Sequence, residues 1–129
     1  MKNFTIKFRP ELGYFLNVKF CESKEELAAV AKDLGYDGLD GDTQAFCIYN
    51  YDSTSDDLGW LVFCGRKQGV IVHECVHAGI SFLSHKSFTT DGFRKLDEQS
   101  QYDYYQEALA LTVESLFDQI TEKTADSHF

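Results

Sequence analysis

Trp60-Leu61-Val62-Phe63-Cys64-Gly65-Arg66-Lys67-Gln68-Gly69-Val70-Ile71-Val72-His73-Glu74-Cys75-Val76-His77-Ala78 is the stretch where the chain stops reading as strands and starts reading as helices. Trp60 to Cys64 is a short apolar run closed by a glycine, as a buried strand should be. Gly65 to Gly69 makes a connection, and a helix is expected from about Val70 to His85. Upstream, Phe4 to Phe8 and Tyr14 to Phe20 alternate apolar and polar residues around a turn at Pro10 to Gly13, and so read as a hairpin. Ser23 stands three residues before Glu26, the capping-box signature of a helix that buries Leu27, Val30, Ala31 and Leu34 and stops at Gly35.

Tyr36 to Asp42 reads as a loop. In Thr43 to Tyr51, Ala45, Cys47 and Tyr49 alternate with Gln44, Phe46 and Ile48. Asp52 to Asp57 is a polar turn. Beyond the central stretch, Lys86 to Ser100 is polar and loop-like, with room for one helical turn, and Gln101 to Ile120 has the pattern of a last helix. Strands grouped ahead of helices predict an α+β domain. Its small, antiparallel or mixed four-stranded sheet packs against a His-bearing helix and a C-terminal Glu-bearing helix. All 129 residues form one such domain, with 121–129 expected to fray as a tail.

Composition narrows the function classes. The content is 43% hydrophobic and 26% charged, ordinary for a folded globular chain. No apolar run approaches the ~20 residues that span a bilayer, and the first residues lack a signal-peptide core, so a cytoplasmic location is expected. The formal net charge is −9, and residues 97–129 hold eight acids and one lysine. Phosphate backbones are bound by Lys and Arg, so direct nucleic-acid binding is disfavoured. Cys21, Cys47, Cys64 and Cys75 include no C-x-x-C pair, and they read as small buried hydrophobes, not as a zinc knuckle or disulfides.

His73-Glu74-Cys75-Val76-His77 is the motif with chemistry in it. Imidazoles at i and i+4 leave one face of a helix a turn apart, so both can reach one zinc ion at about 2.0–2.1 Å. Glu74 is placed to take a proton from a water that the metal acidifies, and to pass it to a leaving amine. A chance H-E-x-x-H in so short a chain is on the order of a few per thousand, and the uncharged neighbours Val70, Ile71, Val72, Cys75, Val76 and Ala78 suit a buried site helix. Catalytic zinc takes a third protein ligand. Ile80 and Leu83 stand where the longer H-E-x-x-H-x-x-G-x-x-H pattern needs its glycine and histidine, so a carboxylate from the following helix is the economical choice. Glu107, followed by Ala108 and Ala110, is expected in that role, with Glu98 and Glu114 next. An oxyanion donor is expected from Tyr102, Tyr104 or Tyr105. Tyr104, three residues before Glu107, is the one most in line with it, and His85 is a further candidate to face the cleft.

Val72-His73-Glu74-Cys75-Val76-His77-Ala78, followed by Tyr105-Gln106-Glu107-Ala108-Leu109-Ala110, resembles the small H-E-x-x-H proteins of bacteriophages and prophages. These are similar to minimal gluzincins, in which a small sheet precedes a His helix and a Glu helix. The resemblance covers roughly Trp60 to Phe117. It implies a zinc metallopeptidase with His73, His77 and Glu107 as Zn2+ ligands, Glu74 as base, and a peptide or protein substrate. One departure stands out. Larger gluzincins place an Asp four residues after the ligand Glu, where this chain has Leu111, so Asp103 or Asp97 would have to support the first His. Two competing expectations come from other classes. One is a non-catalytic acidic accessory protein that binds and inhibits a host protein, as DNA mimics and anti-defence proteins do. The other is a toxin–antitoxin component using the same site.

Overall fold

The structure, a computed structural model, describes residues 2–9, 13–52, 54–87 and 91–125. Strands β1 (Lys2–Arg9) and β2 (Tyr14–Cys21) form the expected antiparallel hairpin. The turn expected at 10–13 lies outside the described residues except for Gly13, whose φ of 78° is left-handed. Helix α1 (Lys24–Leu34) begins where Ser23 Oγ accepts the backbone N–H of Glu26 at 3.1 Å and ends at Gly35 in the left-handed conformation. Strands β3 (Ala45–Tyr49) and β4 (Asp57–Cys64) follow, then helix α2 (Gln68–Phe82), which widens into a π-helical turn at Leu83–Ser87. A short helix α3 (Asp91–Arg94) precedes the long helix α4 (Glu98–Ala125).

The sheet is mixed, with order β1-β2-β4-β3. β2 and β4 pair in parallel, and both outer pairs are antiparallel. Parallel neighbours need a crossover, and α1 together with β3 supplies it. The sheet is covered on both faces. Leu27, Val30 and Ala31 of α1 pack with Phe46 and Val62 on one face. On the other, α2 and α4 bury Cys75, Ala78, Phe82, Leu116 and Ile120 against Leu16, Val18, Leu61 and Phe63. At roughly 25 cal/mol per Å2 of apolar surface, this second and larger cluster dominates the stability.

Two contacts fix how α4 lies. Gly79 of α2 faces Leu109, Thr112 and Val113, and a Cβ at Gly79 would come within 3.1 Å of Leu109 Cδ1. The two helices therefore meet at their smallest side chain. Further along, the Gln119 side-chain amide accepts from the Lys7 backbone N–H at 2.8 Å and donates to the Lys7 carbonyl at 2.7 Å, beside the bulge in β1. Lys2 Nζ donates to the Lys123 carbonyl at 3.0 Å, close to the helix end. The tail expected from residue 121 is thus corrected, because α4 runs on to Ala125 with no breaker in its way. Residues 126–129 lie outside the described residues. The helix also starts earlier than position 101, since Asp97 Oδ1 accepts the Ser100 backbone N–H at 2.7 Å as its cap. No helix among the described residues is long and apolar enough to cross a membrane.

Candidate active site

His73 and His77 leave α2 on the same side, as the i, i+4 spacing requires. Their Nε2 atoms lie 3.1 Å apart, with ring centroids at 4.7 Å and planes at 74°. Both rings thus aim the same nitrogen at one point. Two ligand nitrogens on a tetrahedral zinc stand about 3.3–3.4 Å apart when each bond is about 2.0–2.1 Å. The pair fits that bite with a small opening of the rings. Glu74, one residue on, is 7% exposed, the one buried charged residue among those described. Burial pushes its carboxyl above the ordinary range, and the two imidazoles pull it only partly back.

These three side chains open onto a cleft of about 790 Å3 between α2 and β3. Period-2 alternation in β3 makes the far wall: Ala45, Cys47 and Tyr49 turn toward the α2 side of the sheet, while Phe46 and Ile48 turn toward α1. Cys47 and Tyr49 line the cleft with Tyr51, and Ser81 stands on the α2 side. His85, in the π-helical turn, stacks on Tyr49 at 5.5 Å and meets Tyr51 edge-on at 4.8 Å, so three rings gather at these two cleft tyrosines. Burial and the nearby Glu74 raise the Cys47 thiol to about 12, so it stays protonated at neutral pH and is no nucleophile. β3 is an edge of the sheet, with no strand on its outer side among the described residues.

The structure does not bring Glu107 to the histidines. It is exposed, it is not among the cleft residues, and no third His, Cys, Asp or Glu among the described residues joins the pair in a group able to hold a metal. The reason is rotational. At about 100° per residue, Glu107 points roughly 160° away from Leu109 and roughly 180° away from Leu116, the side chains that face α2 and the core. Glu98 is exposed near the start of α4, and Glu114 lines a groove on the α4 side of α2.

The other expected helpers also lie elsewhere. Tyr104 is 44% exposed and packs near Phe93, with ring centroids 5.7 Å apart. Tyr102 and Tyr105 line the α2–α4 groove. Asp103 accepts from Gln99, Asp97 caps α4, and Leu111 is solvent-exposed, so none of these positions supports an imidazole. The residues missed in the sequence are those of β3 and its flanks. Their alternation was visible, but period 2 alone does not say which face meets the His helix. Compared with protein-family models, curated proteins and solved structures, the chain matches none.

Proposed function

We propose that the chain is a zinc-dependent hydrolase acting on peptides, with His73 and His77 as metal ligands and Glu74 as general base. The observation that carries this is the pair of Nε2 atoms 3.1 Å apart beside a buried carboxylate, all facing one cleft. A metal held there would polarise a carbonyl and acidify water. The desolvated Glu74 carboxylate, its proton affinity raised by burial, takes a proton from the attacking water and delivers it to the departing amine. The edge strand β3 shares the cleft with the histidines, so an extended peptide could bind there by strand addition.

Metal analysis after zinc loading tests the reading. About one zinc per chain is expected, and His73→Ala or His77→Ala should lose it. Loss of zinc in Glu107→Ala would mean that α4 turns toward the cleft when metal binds. A wild-type protein that holds no zinc after loading would sink the proposal. The acidic C-terminal helix favours a second reading, a non-catalytic accessory protein that binds a host partner. Zinc retained in Glu74→Gln with an unchanged biological phenotype would decide for it.

A further inference from the structure

We infer that the groove between α2 and α4 is a docking site for a basic amphipathic helix of a partner protein, on a different face of α2 from the His cleft. Val72, Val76, Leu109, Val113 and Phe117 line the groove, with Tyr102 also along it, in a space of about 770 Å3. Val72 is 37% and Tyr102 57% exposed, so the chain's own described residues leave this apolar strip uncovered. A groove between two helices takes a third by ridges-into-grooves packing. From Tyr102 to Phe117 its length is about 22 Å, or roughly four helical turns.

Charge selects the occupant. Asp103, Glu107, Glu114 and Asp118 recur at helical spacing along α4, and Glu114 lines the groove itself. A partner helix whose apolar face is flanked by Lys and Arg meets those acids at its margin, and its cations gain further from the tyrosine faces. A second copy would oppose one acidic helix with another. Nucleic acid and anionic lipid are repelled by the same acids.

The test uses the whole chain and a designed helical peptide of about 18 residues with leucines at i, i+3, i+4 and i+7. One form has lysines flanking the apolar face, and a matched form has glutamates. By fluorescence anisotropy the basic peptide should bind saturably and at least about tenfold tighter than the acidic one, with the gap closing in high salt. Ala110→Arg, at an exposed position lining the groove, should remove binding while leaving zinc content unchanged, so the result stands apart from the metal reading. If that variant folds poorly, Glu114→Lys keeps the question answerable, because it should weaken the basic peptide and strengthen the acidic one. Equal binding of both peptides, no saturation up to about millimolar peptide, or binding untouched by both variants would overturn the inference. So would self-association of the wild type that Ala110→Arg abolishes, since the groove would then hold a second copy.

Discussion

Glu74 concentrates the energetic cost of the site in one side chain. Its carboxyl is buried, and burial sets the direction of its shift, upward, over the opposing pull of His77 and His73. A raised folded-state value means that the native state holds its proton more tightly than the unfolded chain. The corresponding stability is fully present below the ordinary carboxylate value and is lost as pH rises through the raised one. Metal-free Glu74→Gln should therefore melt higher than metal-free wild type near neutral pH. That gap should narrow as pH falls to about 4, and thermal melts of chelator-treated protein across this range would show it. If the proposed zinc hydrolase reading holds, the same change in zinc-loaded protein should lower peptide hydrolysis by about 10²–10⁴-fold with metal content unchanged, read by a peptide-library cleavage assay. Helical pitch alone decides that His73, Glu74 and His77 reach one cleft from α2, so that much of the geometry was legible. Glu107 was not, because its direction depends on how α4 is rotated about its own axis. Leu109, Thr112 and Val113 against Gly79, and Gln119 on β1, set that rotation.

Among the elements, β3 is the thinnest support for the cleft, a five-residue edge strand whose one sheet partner among the described residues is β4. Gly59 lies opposite Tyr49 in that pair, with φ of 117°, and any Cβ there would overlap the Ile48 carbonyl oxygen. Gly59→Ala should cost on the order of 3 kcal/mol, from backbone strain and displaced pairing. Denaturant unfolding would measure it, and hydrogen exchange should show the loss concentrated in β3. Gln119→Ala removes both side-chain bonds to Lys7 and should cost about 1–2 kcal/mol, by the same unfolding measurement. Strand existence was legible from alternation in β1, β2 and β3, and from the continuous apolar run Trp60 to Cys64 in β4. The parallel pairing of β2 with β4 was not, since it depends on α1 crossing the sheet and on β3 inserting at the edge. The long extent of α4 could have been read further at its start, because Asp97 with Ser100 three residues on is an N-cap pattern.

At the scale of the whole molecule, the net charge of −9 is spread so unevenly that α4 carries an electrostatic cost of its own. Sequence counts reveal the excess, while the fold reveals that it lies on one long helix bordering an apolar groove. Asp118 stands four residues after Glu114 and four before Glu122, so two like-charge pairs share it on the helix surface. Such pairs destabilise a helix by roughly 0.2–0.5 kcal/mol each, and opposite charges at the same spacing stabilise it by as much. Asp118→Lys reverses both interactions at once and should raise the melting temperature by about 2–5 °C at low ionic strength. The Debye length falls to about 3 Å at 1 M salt, shorter than the separation across a helical turn. The advantage of Asp118→Lys should therefore fade as salt rises, while the wild type itself gains stability from the screening. Melting both proteins across a salt series checks this, and a gap that stays constant with salt would assign the change to packing instead of charge.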